Sequence, residues 1–299
     1  MAAENSEVEL RVLTTPEELE SIIELDEIVW GELVTPLHLL VAISGNGGLV
    51  IGATINNKLV GYTLGFIGLH SAGENSVYKF HSHSLGVHPD YRDQNIGFKL
   101  KLAQQRLIEN LGIELITWTY NPLESKNAYI NITKMGGICR TYKRDVYGIM
   151  DDKLNQGIPS DRFVLELWVS SNRVTRKASQ KNRIKLDLAH YLSSKALVVN
   201  TTKLDPAGWP MPHKDKMDLL DDPDNRPTIV LFEIPPDFQG LRNYSADLTM
   251  TWRMYTRVIF ELLLAHGYIV SDFVYLPGNK SRSYYVFSHG DALVGGIVK

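Results

Sequence analysis

Residues 85–100 constrain this chain more than any other segment. Leu85, Gly86 and Val87 close a β-rich run that ends at Pro89, a polar turn follows through Arg92, Asp93 and Gln94, and a helix opens near Asn95 to Gly97. A strand–turn–helix junction of this kind gathers unpaired backbone N–H groups at the positive end of a helix dipole, which suits an anion. Gly97 lets the backbone come close to a bound group where a Cβ would interfere.

The order of elements around the turn is regular. Residues 8–13 read as a first strand, and Thr15-Pro16-Glu17-Glu18 supplies a hydroxyl, a proline and an acidic first turn for a helix start. Residues 48–55 and 59–67 read as a hairpin across Asn56-Asn57-Lys58, and residues 78–87 as the next strand. Ile96, Leu100, Ala103 and Leu107 recur at helical spacing up to Leu111-Gly112, and residues 115–120 form another strand. Asn121-Pro122-Leu123-Glu124 reads as an N-cap with proline at N1, opening a helix that ends at Met135-Gly136-Gly137.

The pattern hydrophobic-x-Val-x-Pro-x-x-Arg-x-x-x-Ile-Gly, together with this element order, resembles the GNAT superfamily of N-acyltransferases. In the family's own motif an Arg or Gln is followed by two residues, Gly, one residue and Gly. Here Asn95 stands where the first glycine would be, and Asn tolerates the left-handed conformation better than other non-glycine residues. The resemblance implies an α/β (α+β) fold with a mixed, mostly antiparallel central sheet flanked by helices. It also implies that coenzyme A is held through backbone and side-chain contacts by Leu85, Val87, Arg92, Asp93, Gln94, Asn95, Ile96, Gly97 and Phe98, with Asn127 against its pantetheine arm. A strand bulge expected around Leu85 to Val87 would free N–H groups for the acyl carbonyl, and Gly86 suits a distorted strand.

His81 is the candidate base for the amine proton and His83 the runner-up on the same strand face; the alternative is a polar pair on a half-exposed strand. Many family members carry a tyrosine four residues before the helix-ending glycine, whereas the corresponding residue here is Ile132, so no acid is assigned. Acetyl-CoA or another acyl-CoA is the expected co-substrate, without a metal, and the amine of a small molecule the expected acceptor.

Composition is that of a globular chain, at 44% hydrophobic and 22% charged residues. Its net charge of -3 gives no basic field for nucleic acid. The single Cys139 excludes an intrachain disulfide and a cysteine-rich zinc site. No apolar run reaches the roughly 20 residues of a membrane span, and residues 1–11 lack a signal-peptide pattern, so a cytoplasmic monomer or homodimer is expected.

The domain division expected from the sequence is 1–150 for the acyl-CoA-binding domain and 151–299 for a degenerate GNAT-like lobe without a phosphate turn. In the second part, residues 173–185 form a basic run read as a solvated face, and residues 204–227 read as irregular surface. Arg253 and Arg257 lie i, i+4 on one helix beside Trp252, a spacing that could clamp an acceptor carboxylate. Further motifs, including Asn127-Ala128-Tyr129, Arg140-Thr141-Tyr142 and Asp161-Arg162-Phe163, resemble a group of large, two-lobed predicted GNAT proteins. Some of these are similar to amino-acid N-succinyltransferases, which makes succinyl an alternative to acetyl, and a carboxylate clamp at Arg253 and Arg257 would make an amino acid an attractive acceptor. The alternatives of another class are a non-catalytic acyl-CoA-binding protein and a structural protein that no longer binds coenzyme A.

Overall fold

The computed structural model describes residues 7–31, 34–72, 75–148, 150, 156–178, 186–220, 222 and 226–289. By its contacts the chain divides into Met1–Trp118 with Asp152–Leu154, and Thr119–Asp151 with Asn155–Lys299.

The first unit holds β1 (Glu9–Val12), α1 (Pro16–Trp30), α2 (Leu37–Gly45), β2 (Leu49–Ile55), β3 (Lys58–Ala72), β4 (Asn75–Val87) and α3 (Ile96–Asn110). It ends inside β5 (Leu115–Tyr120). Thr15 and Glu18 form the reciprocal capping box that starts α1, with Pro16 in the first turn. Asn56 and Asn57 take positive φ of 50° and 61° in the hairpin turn between β2 and β3, as a turn matched to strand twist demands. β1 to β4 pair antiparallel in chain order, and β4 pairs parallel with β5. Both sheet faces are apolar and covered. Leu19, Ile22, Leu25 and Val29 of α1 pack with Leu40, Val50, Tyr62 and Leu64. Ile96 and Leu100 of α3 pack with Ile51, Ala53 and Val60, and with Leu85 and Val87.

The second unit opens with α4 (Ser125–Ala128), which runs into a π-helical turn over Tyr129–Lys134. Next come β6 (Ile138–Lys143), β7 (Arg162–Trp168), α5 (Asn172–Ala178), α6 (Leu188–Ser193), β8 (Leu197–Val198), β9 (Asn200–Leu204) and β10 (Pro210–Asp215). The unit closes with β11 (Ile229–Ile234), α7 (Phe238–Tyr244), α8 (Ala246–Ala265), β12 (Ile269–Leu276) and β13 (Arg282–Ser288). Its sheet runs β7-β6-β12-β13-β11-β8, with only the β11–β8 pair parallel. β6 pairs with both β7 and β12, so residues 119–143 group with the second half of the chain, whereas the sequence reading divides the chain near residue 150.

Three local expectations need correction. The helix expected from Asn121 begins at Ser125, because the Asn121 side chain accepts from the Leu123 N–H at 3.1 Å and closes a turn of its own. Part of residues 204–227 is a β9–β10 hairpin, closed where Asp205 accepts from the N–H groups of Ala207 and Trp209. Arg173 is buried and donates to the carbonyls of Gly136 and Ser271, so it does not belong to a solvated face; residues 179–185 of that basic run lie outside the described residues.

Candidate active site

Asn95 caps α3 in the left-handed conformation, at φ 60° and ψ 15°, and its side chain makes no capping hydrogen bond. The first turn of the helix closes from the Lys99 N–H to the Asn95 carbonyl at 2.9 Å. The amides of Ile96, Gly97 and Phe98 therefore precede the first intrahelical bond and sit at the positive end of the helix. Asp93 also has positive φ, 63°, so the approach to the helix bends sharply twice. Arg92 is exposed and ties the turn to the strand by donating through Nε to the Val87 carbonyl at 3.3 Å. Asp93, Gln94 and Asn95 are exposed, whereas Ile96 and Phe98 are buried and anchor the turn.

Gly97 faces Leu85 and Val87: a Cβ there would meet Leu85 Cδ2 at 3.4 Å and Val87 Cγ2 at 3.8 Å. Those are ordinary contacts. The glycine thus lets α3 sit close on the strand but is not strictly required for packing.

The bulge lies elsewhere than expected. Leu85, Gly86 and Val87 pair regularly with Thr63, Tyr62 and Gly61, and the register slips between Ser84 and Ser82, making His83 the extra residue. Gly86 has a different purpose, since a Cβ at that position would stand 2.7 Å from Cε1 of the buried Tyr62 ring. Tyr62 donates to Asp26 and shares a 2.9 Å hydrogen bond with Ser84. Burial pushes the Asp26 carboxyl above its ordinary pKa.

On its other edge β4 pairs with β5 only through Phe80–Ile116 and His81–Thr117. From Ser82 to Val87 that edge has no strand partner among the described residues. The bulge and the end of pairing coincide within two residues. This leaves a forked strand pair whose open edge leads directly into the helix N-terminus at Ile96.

His81 lies at the fork, with Nδ1 at 3.4 Å from Thr117 Oγ1. The His83 ring is 6.2 Å from that of His81, and both flank Phe66 at 6.0 and 5.5 Å, so one face of the fork carries two imidazoles. His83 is exposed, and the desolvation its neighbours impose lowers its pKa, favouring the neutral imidazole.

Asn127 is exposed on α4 in the second unit. The arginine pair is not an open clamp. Arg257 makes a two-pronged ion pair with Asp161, both bonds 2.7 Å. Arg253 is fully buried and donates to Asn121 Oδ1 at 2.7 Å. The spacing does place both guanidiniums on one helix, but Asp161 and Asn121 come from distant sequence and engage them. Asp161 also accepts from Tyr142 at 2.6 Å. Despite the desolvation that burial imposes, these donors, Arg257 foremost, hold its carboxyl below the usual range. Ile132, at the position of the family tyrosine, is buried.

An open helix N-terminus fed by an unpaired, bulged strand edge is an arrangement for a long, thin ligand with an anionic end. Residues 16–129 match the acetyltransferase (GNAT) family. The GNAT match includes the fork, the turn and Asn127, and excludes Arg253 and Arg257. Among solved structures, the ribosomal-protein-S18-alanine N-acetyltransferase of Escherichia coli is similar at 15% identity and TM-score 0.43, covering 55% of this chain and 95% of its own. NAA60 of Arabidopsis thaliana with acetyl-CoA is similar at 12% identity and TM-score 0.45, covering 54% and 99%. An IAA acetyltransferase of Bacillus cereus is similar at 13% identity and TM-score 0.41, again covering 54% and 99%. No curated protein matches this sequence. Among the described residues no group of three or more His, Cys, Asp or Glu could hold a metal ion, and no helix is long and apolar enough to cross a membrane.

Proposed function

We propose that this protein is an acyl-CoA-dependent N-acyltransferase that passes an acetyl group directly from coenzyme A to the amine of a small molecule. The observation that carries this reading is the continuity of the open β4 edge with the α3 N-terminus. Val87 back to Ser82 spans about 17 Å of extended backbone, a length that suits the pantetheine arm between pyrophosphate and thioester. The pyrophosphate is assigned to the amides of Ile96, Gly97 and Phe98, with Arg92 beside them. The thioester is assigned to the fork at His81 and Ser82, where the bulge at His83 leaves backbone amides able to receive the developing oxyanion.

A neutral amine attacks the carbonyl, and His81, directly or through water, takes the proton that the amine must lose. His83 is the alternate base. Succinyl-CoA as donor and an amino acid as acceptor are finer options within the same reading. Because Arg257 is engaged by Asp161 and Arg253 is enclosed, the acceptor is not assigned to that pair.

The buried Ile132 in place of the family tyrosine favours one other reading, an acyl-CoA-binding protein without turnover. Thiol release from acetyl-CoA and succinyl-CoA against a panel of amino acids and polyamines separates the two. Amine-dependent release with a matching N-acyl product supports the enzyme. Tight binding of acetyl-CoA with no release beyond the enzyme-free rate supports the binding protein.

A further inference from the structure

Lys101 is a lysine whose surroundings do not suit a surface cation. It lies on α3, one turn beyond the amides assigned to the pyrophosphate. Its Nζ donates to Ser82 Oγ at 2.7 Å and stands 4.0 Å from the centroid of the Trp118 ring. Ser82 and Trp118 are the residues immediately after the last β4–β5 pair, His81–Thr117. The ammonium therefore fills the wedge where the two strands cease to pair.

Its described neighbours are uncharged. From β4 it meets the Ser82 hydroxyl and from β5 the Trp118 indole, and one turn along its own helix stand Gln104 and Gln105, both buried. His81 and Ser82 are adjacent on β4 and so point to opposite faces, which puts the imidazoles across the strand from Lys101. No described carboxylate or second cation contributes to its titration, and burial alone pushes the ammonium down to about 7. An ammonium that gives up its proton this readily is matched to acid–base work at neutral pH. The residue is half-buried, and among the described residues its ammonium has one hydroxyl acceptor and no counter-charge, a setting that disfavours the charged form.

We propose that Lys101 is the proton donor to the departing thiolate of coenzyme A, the role for which the sequence offers no tyrosine. The proposal rests on the acyl-CoA reading above. When the amine nitrogen has bonded to the thioester carbon, the carbon–sulfur bond breaks and its electron pair goes to sulfur. Lys101 gives one Nζ proton to that sulfur and becomes a neutral amine. The proton lost by the acceptor amine, taken up by His81 or water, returns through solvent to restore the ammonium. Acid and base thus approach the reacting carbon from opposite faces of β4.

The test compares the full-length wild-type chain with Lys101→Met and Lys101→Arg, using acetyl-CoA and hydroxylamine, a small reactive amine that needs no acceptor pocket. Calorimetry measures acetyl-CoA binding and thiol release measures kcat across pH 5.5–9. Lys101→Met is expected to bind acetyl-CoA within about threefold of wild type and to lose roughly 10²-fold in kcat. Wild-type kcat should fall as pH rises through the lysine pKa, and this limb should vanish in Lys101→Met. Lys101→Arg should stay slow, because a guanidinium keeps the charge but does not release its proton. Full activity in Lys101→Arg, an unchanged kcat in Lys101→Met, or a wild-type profile without the alkaline limb overturns the proton-donor role while leaving the acyl-CoA site standing. Failure of the wild type to bind acetyl-CoA overturns both.

Discussion

Replacing Asn95 by Asp places a negative charge on the residue that caps α3. Asn95 is exposed and holds a left-handed conformation that Asp also tolerates, so the backbone of the cap is kept. A carboxylate in the first turn of a helix is itself favourable by about 0.3–1 kcal/mol, so the fold should not weaken. A bound pyrophosphate would feel the opposite effect. With the new charge about 6 Å from a phosphate and an effective dielectric near 20, each unit of phosphate charge is repelled by roughly 3 kcal/mol before screening. Physiological salt reduces this to about 1–3 kcal/mol, or roughly 5- to 150-fold in affinity. Calorimetric titration with coenzyme A at low and high salt, with thermal unfolding alongside, provides the assay. The expected outcome is a Tm at or above wild type, weakened binding at low salt and a smaller deficit in 0.5 M NaCl. Asn95→Gly, which restores the family's glycine, should bind at least as well as wild type. Undiminished affinity of a folded Asn95→Asp variant at low salt would refute the placement of the anion at this helix end.

Three further outcomes follow from the same geometry. Gly86→Ala should destabilise the chain by about 1–3 kcal/mol in urea unfolding, because the added Cβ would stand 2.7 Å from the Tyr62 ring. Arg257→Ala should cost about 3–5 kcal/mol by leaving the Asp161 carboxylate buried without its counter-ion; the folded-state pKa of Asp161 is depressed, so this loss should be full above the ordinary carboxylate pKa and shrink as pH falls through the folded value. His81→Ala should lower kcat roughly 10²-fold with acetyl-CoA binding near normal; an unaltered rate would return His81 to a strand-face role.

What the sequence made legible was local and backbone-driven. The Thr15-Pro16-Glu18 start, the Asn56-Asn57 turn and the left-handed tolerance of Asn95 each follow from a few neighbouring residues, and each stands in the structure. What it hid depended on partners far along the chain. Gly86 suggested a bulge, but its missing Cβ serves Tyr62 on the neighbouring strand while the extra residue is His83. The Arg253 and Arg257 spacing suggested a clamp, since nothing nearby in sequence announces Asp161 or Asn121 as their partners. Lys101 was invisible for the same reason: on helical periodicity it is an unremarkable polar residue, and only the end of β4–β5 pairing at Thr117 gives its ammonium a place to go.

Backbone amide mapping tests the central claim most directly. Coenzyme A titrated into the ¹⁵N-labelled chain should shift the amides of Ile96, Gly97 and Phe98 together with those along the open edge of β4 from Ser82 to Val87. Shifts confined to other parts of the chain, or none at all at millimolar ligand, would contradict the assignment of the turn and the fork to an acyl-CoA.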